Sequence, residues 1–185
     1  MIVVFVDRDG VINRNRDDYV KTVSEFDFLP GALEGLAKLK LAGAITIVVS
    51  NQAGVGRGII DPAELARIND NMLQTVKKHG GEISAVYYCL HRKEEECNCR
   101  KPEPGLLVQA SKDFGLNLEE CFLVGDARSD IEAGQKVGCK TVLVLTGKTS
   151  RSDVESWNCK PLHVADDLLN AVDWIVSECC NDSHR

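Results

Sequence analysis

The chain has 185 residues, 44% hydrophobic and 27% charged, with a formal charge of −6 and a pI near 5.3. That is the size and balance of one ordinary globular domain with room for a real core. The acidic balance excludes a basic nucleic-acid-binding surface, and no apolar run approaches the roughly 18 residues that cross a bilayer. The start lacks a basic region and a small-residue cleavage site. The expected setting is therefore the cytoplasm, with neither nucleic acid nor membrane as partner.

Met1 to Val6 is a continuous apolar, β-branched run that suits a strand buried on both faces. It ends in Asp7-Arg8-Asp9-Gly10. The stretch from Val11 to Asp27 is polar and lacks helical periodicity, and a loop this long over a strand end is more often functional than idle. Pro30-Gly31 opens a helix that Gly43 stops, and Ala44 to Val49 is a second buried strand ending in Ser50-Asn51-Gln52. Gly54, Gly56 and Gly58 form a flexible loop around Arg57. Asp61-Pro62-Ala63-Glu64 starts a helix to about Lys78, with Asp61 as N-cap and Pro62 at the first helical position.

Further strands are expected at Ile83 to Cys89, Cys121 to Gly125 and Thr141 to Leu145, and helices at Glu103 to Phe114 and Ser129 to Val137. Thr146 to Pro161 reads as an irregular surface segment and Asp166 to Ser177 as a last helix. The expected organisation is a single domain over residues 1–178 with a frayed tail at 179–185. Strand and helix alternate throughout, so the expected fold class is α/β, a doubly wound and mostly parallel sheet with right-handed crossovers.

Four strand ends carry groups that meet on one edge of such a sheet. They are Asp7 and Asp9, Ser50 and Asn51, Arg100 and Lys101, and Asp126. In open α/β sheets this carboxyl edge is where ligands bind. Two close carboxylates repel unless a cation or a shared proton compensates them, so the pattern asks for a divalent metal or a nucleophilic carboxylate beside a protonated one. Phosphoryl transfer to a carboxylate needs this set, with cations neutralising the phosphoryl oxygens and hydroxyl and amide donors holding them.

Cys89, His91, Cys97 and Cys99 supply the ligand types and number of a closed structural zinc site, two close pairs on one short loop. Such an ion shapes the loop leading into Arg100-Lys101 and takes no part in the chemistry. Without a secretory signal a disulfide framework is the weaker account of the eight cysteines, and Cys121 and Cys139 read as small buried hydrophobes. His79, His163 and His184 have no ligand-spaced neighbours, and Trp157 and Trp174 read as packing residues.

Asp7-Arg8-Asp9-Gly10-Val11, the strand ending at Ser50, Lys101, and Gly125-Asp126 with Asp130 resemble the four motifs of the haloacid dehalogenase superfamily of phosphatases, in that family's order. The resemblance implies a Rossmann-like core without a cap domain, Asp7 as nucleophile, and Asp9 as the acid that protonates the leaving oxygen and then activates water. It implies Mg²⁺ on Asp7, the backbone carbonyl of Asp9 and Asp126, with Asp130 supporting the metal from behind. Ser50 and Lys101 would hold the phosphoryl group. The zinc loop followed by Cys-Arg-Lys-Pro is similar to the histidinol-phosphatase-like branch, whose two activities act on D-glycero-D-manno-heptose 1,7-bisphosphate and on histidinol phosphate. The glycine loop with Arg57, and Leu145-Thr146-Gly147-Lys148, are more similar to the heptose enzymes, which serve lipopolysaccharide and S-layer heptose synthesis.

That resemblance implies a small sugar bisphosphate as partner, bound by Asn51, Gln52, Arg57, Arg100 and Tyr19, with Arg14, Arg16 and Lys148 within reach. In place of the basic residue common in this branch after the fourth-strand Asp stands Ala127, followed by Arg128 as a substitute. Histidinol phosphate is the alternative substrate. A phosphate-accepting regulatory domain is the alternative of another class, and Asp9 argues against it. A monomer is expected.

Overall fold

The computed structural model describes residues 1–182. Six parallel strands form one sheet in the order β3-β2-β1-β4-β5-β6. They are β1 (Val3–Val6), β2 (Ile45–Asn51), β3 (Ala85–Cys89), β4 (Phe122–Gly125), β5 (Lys140–Val144) and β6 (His163–Ala165). The helices are α1 (Ala32–Leu41), α2 (Ala53–Gly56), α3 (Pro62–Lys78), α4 (Gly105–Phe114), α5 (Arg128–Lys136), α6 (Arg151–Ser156) and α7 (Leu168–Asp182). The order reverses between β1 and β4, and that switch point is where the carboxyl ends of strands splay to leave a crevice.

The side chains of β1 alternate between two cores, as a strand covered on both faces requires. Val4 and Val6 pack with Leu36, Leu39, Ile68, Met72 and Ile175 of α1, α3 and α7. Val3 and Phe5 pack with Leu106, Leu107, Ala110 and Ala133 of α4 and α5. Cys121 and Cys139 lie buried in this second core, as expected of small hydrophobes. At the start of α3, Asp61 Oδ1 accepts from the Ala63 N–H at 2.7 Å and Pro62 occupies the first turn.

Four local expectations are corrected. Ser50 and Asn51 lie inside β2, because their backbones still pair with Tyr88 and Cys89. Part of the glycine loop winds into the single turn α2. The segment after Thr146 is not irregular throughout: Ser150 caps α6, accepting from the Asp153 N–H at 3.3 Å, and β6 follows, pairing Val164 with Leu143 at the sheet edge. The last helix continues to Asp182, so residues 179–182 are helical rather than a frayed tail. The expectations for residues 183–185, including His184, lie outside the described residues. Among the described residues no helix is long and apolar enough to cross a membrane.

Candidate active site

β1 delivers Asp7 to the switch point, and its ladder runs one residue beyond the strand, with the Asp7 N–H donating to the Val124 carbonyl at 2.9 Å. Asp7 Oδ1 accepts from the Arg8 N–H at 2.7 Å and stands 3.0 Å from Lys101 Nζ. Lys101 is itself buried, paired with Asp130 at 2.6 Å and donating to the Val49 carbonyl at 2.8 Å. Its backbone is clasped by Asn51, whose Oδ1 accepts from the Lys101 N–H at 3.0 Å while Nδ2 donates to the Lys101 carbonyl at 3.1 Å. Asp126 follows β4, and its carboxylate is walled so closely by Gly10 and Gly147 that a Cβ on either would collide with it. Gly10 also sits at φ +86°, which further favours glycine there.

This is an acidic interior. Burial lifts the Asp7 carboxyl to about 6; Lys101 opposes that shift, while Asp130 and Asp9 add to it. Burial, then the charges of Asp130 and Asp7, push Asp126 up to about 8. For Lys101 burial works against the ammonium, but Asp130 and Asp7 outweigh it and hold the group above its usual value. One oxygen each of Asp7, Asp126 and Asp130 lies within 4.8 Å of the others. Hard carboxylate oxygens in excess over one buried lysine are the donor set a Mg²⁺ ion takes, so the residues fit such an ion.

The loop after β3 gathers the second cluster. Cys89 and Cys97 sulfurs are 3.6 Å apart, Cys97 and Cys99 3.5 Å, and His91 Nδ1 is 3.2 Å from Cys99 and 3.7 Å from Cys89. Tetrahedral zinc with Zn–S bonds near 2.3 Å sets its sulfurs about 3.8 Å apart; two of the three sulfur pairs come close to that, and Cys89–Cys99, at 3.1 Å, opens to take the ion. Burial raises the Cys89 thiol to about 12; it also opposes ionisation of Cys97, yet donors from Cys99 and Arg100 bring that thiol down to about 7.

A HAD-hydrolase-like family model matches residues 98–171. The chain is 41% identical over 150 residues to the D-glycero-beta-D-manno-heptose-1,7-bisphosphate 7-phosphatase of Pseudomonas aeruginosa, covering 81% of this chain and 84% of that one. It is 38% identical over 180 residues to the enzyme of the same name from Neisseria meningitidis, covering 96% of each. The D,D-heptose 1,7-bisphosphate phosphatase of Bordetella bronchiseptica, solved with magnesium and phosphate, superposes with a TM-score of 0.90 at 32% identity, over 96% of this chain and 99% of that one. The chain belongs to the haloacid dehalogenase superfamily, in the family of heptose bisphosphate phosphatases. Phosphatases of this superfamily use Mg²⁺.

The expected site residues divide within this family fold. Asp7, Asp9, Ser50, Asn51, Lys101, Asp126 and Asp130 line one cleft of about 190 Å³, joined by Tyr19, Arg16 and Lys148. Asp130 faces Lys101 with one oxygen at 2.6 Å and accepts from the Ala127 N–H with the other at 3.1 Å. Arg100 and Lys93 line an adjoining groove of about 380 Å³ that shares Asn51 and Lys101 with the cleft. Arg14 lines a groove on the other side with Lys148, which pairs with Asp17 at 2.6 Å.

Three of the expected residues stand outside the lining of the cleft. Gln52 lies outside the cleft lining, buried behind Asp9, because its N–H extends the pairing one residue past β2, donating to the Cys89 carbonyl at 2.7 Å. Arg57 pairs with Glu94 of the zinc loop at 3.2 Å on the surface, away from the cleft, because the turn of α2 carries it outward. Arg128 is taken by Glu132 one helical turn on, at 2.6 Å, and does not stand in for a basic residue at Ala127. Sequence reasoning missed Arg8 and Asn13, which hold Asp9 at 3.1 and 2.9 Å. A charged residue inside an otherwise acidic strand end was the available signal for Arg8.

Proposed function

We propose that this chain is a Mg²⁺-dependent phosphatase that removes the 7-phosphate of D-glycero-β-D-manno-heptose 1,7-bisphosphate, in nucleotide-activated heptose synthesis. The observation that carries this reading is the convergence of Asp7, Lys101, Asp126 and Asp130 at one sheet edge, in a chain 38% identical over nearly its whole length to an enzyme of that name. The β anomer is taken from the names of the relatives.

Lys101 and the Ser50 hydroxyl bind the oxygens of the 7-phosphoryl group. An Asp7 carboxylate oxygen attacks phosphorus, and a bond from phosphorus to Asp7 forms as the bond to the sugar oxygen breaks. Asp9 gives its proton to that leaving oxygen. It then takes a proton from the water that attacks the acyl phosphate, which releases inorganic phosphate and restores Asp7. Bound by Asp7, the Asp9 backbone carbonyl and Asp126, Mg²⁺ would offset the charge of the site and polarise the phosphoryl oxygens.

The 190 Å³ cleft has room for the phosphoryl group, while the sugar extends into the adjoining grooves. Arg100 and Lys93 are the cations suited to the remaining 1-phosphate. Cys89, His91, Cys97 and Cys99 would hold a Zn²⁺ ion, which would fix the loop that carries them. Phosphate release from both heptose bisphosphate anomers and from histidinol phosphate, assayed side by side with Mg²⁺, tests the reading. The expected result is a kcat/KM for the β anomer at least about a hundredfold above histidinol phosphate, roughly 2.7 kcal/mol. Preference for histidinol phosphate would overturn the substrate, and no release from any of them would overturn the function.

A further inference from the structure

Arg8 is a cation with no access to solvent. It lies 5.8 Å from the Phe26 ring and 5.6 Å from the Tyr88 ring, and its Nε and Nη1 find no acceptor. Its hydrogen bonds run instead from Nη2, to Asp9 Oδ1 at 3.1 Å and to Gln52 Oε1 at 3.0 Å. Burying a guanidinium with two of its three nitrogens unmatched is unfavourable for folding alone, and such groups ask for another explanation.

The second contact supplies one. With Oε1 fixed on Arg8, the Gln52 amide has a single sensible orientation, because a flip would set its NH₂ against the guanidinium. Its two N–H bonds then reach Asp9 Oδ2 at 2.6 Å and Ser50 Oγ at 3.2 Å. One amide thus ties the acid–base carboxylate to the phosphate-holding hydroxyl. Since Ser50 accepts this bond, its own proton is left to donate, toward Asp7 here and to a phosphoryl oxygen when substrate is bound. Asn13 closes the other side of Asp9 at 2.9 Å.

We infer that Gln52, oriented by buried Arg8, is the positioning residue that aims Asp9 at the leaving oxygen of the substrate. This rests on the phosphatase reading above. Gln52 does not touch substrate; it sets the direction from which Asp9 delivers its proton, so it acts on transfer to Asp7 only where the leaving oxygen needs that proton.

The test uses the full chain with Mg²⁺ and two variants, Gln52→Leu and Gln52→Glu. kcat/KM is measured on the heptose bisphosphate, whose sugar oxygen leaves only with a proton, and on 4-nitrophenyl phosphate, whose phenolate leaves without one. Wild-type release from the sugar ester is read first, since its absence is a failure of the functional reading; another alkyl phosphate that the wild type turns over then takes the sugar's place. Both variants are expected to keep the wild-type circular dichroism and the Mg²⁺-induced rise in melting temperature. On the sugar ester they lose about 10²-fold or more, and on the aryl ester less than about tenfold. Equal losses on both esters, or undiminished turnover of the sugar ester, would overturn the inference. Gln52→Glu separates it from a purely structural role and decides alone if Gln52→Leu does not fold. It keeps a partner for Arg8 but offers Asp9 no donor, so recovery to within about threefold of wild type would also overturn it.

Discussion

The two ion-sized clusters of this molecule are built on opposite plans. Asp7, Asp126 and Asp130 are buried on the ends of β1 and β4 and the first turn of α5, and Lys101 already holds two of them. Of the zinc set only Cys89 stands on a strand, while His91 is exposed and Cys97 and Cys99 are half-buried on a loop. The sheet shapes the carboxylate site, so an ion adds charge there and little geometry. In the loop a zinc ion would supply the geometry itself. Removing a part should therefore cost chemistry at the first cluster and order at the second.

The largest expected effect is at the nucleophile. Asp7→Asn, nearly the same shape, should lower phosphate release by about 10⁴-fold or more, at least roughly 5.4 kcal/mol of barrier, with zinc content and circular dichroism unchanged. A variant that keeps more than about a tenth of wild-type activity would contradict the assignment. Lys101→Met comes next. Stripping the one lysine from a buried acidic cluster should lower stability by about 3–5 kcal/mol in urea unfolding as well as weakening turnover. Unchanged stability would mean the sheet tolerates those charges without it.

Chelating zinc should act on the other plan. Hydrogen exchange is expected to rise across residues 89–100 while β1 and β4 stay protected, and kcat/KM to fall by about 10- to 100-fold. Loss of protection in β1 would erase the contrast between the clusters.

A smaller effect separates them by pH. Asp7 and Asp126 are raised to about 6 and about 8, above the roughly 3.9 of an unfolded chain. Their contribution to the metal-free fold is thus fully present below about pH 4 and lost as pH rises through 6 and then 8. A bound cation reverses that loss, so the rise in melting temperature on adding Mg²⁺ should be several degrees greater at about pH 8.5 than at about pH 5.5. An equal rise at both would contradict it. Smallest is Arg57→Ala, which removes a solvent-exposed pair with Glu94 and should change kcat/KM by less than about threefold.

The catalytic edge was legible because its residues follow apolar runs directly. Asp7 ends β1 and Asp126 ends β4, and a buried strand that stops at an acid is a local pattern. What escaped depends on contacts between distant segments. Arg8 reads as one more charge in an acidic turn until Phe26 and Tyr88, far along the chain, close over it. Gln52 reads as a ligand-facing amide until the strand places it behind Asp9. Proximity to a strand end placed Arg57 near the site, but the direction of one helical turn took it to Glu94. β6 is three residues without an apolar run, and only pairing with β5 makes it a strand. The Ser150–Asp153 cap of α6, by contrast, is a local pattern legible in the sequence.

The central claim is that Asp7 carries the phosphoryl group. Its most direct test is a single turnover of heptose bisphosphate labelled in the 7-phosphate, quenched in acid and digested for peptide mass spectrometry. The account predicts an acid-stable, alkali-labile phosphate on Asp7 in the wild type, and none in Asp7→Asn. Label on any other residue, or turnover without a phosphorylated peptide while the substrate is still being consumed, would contradict it.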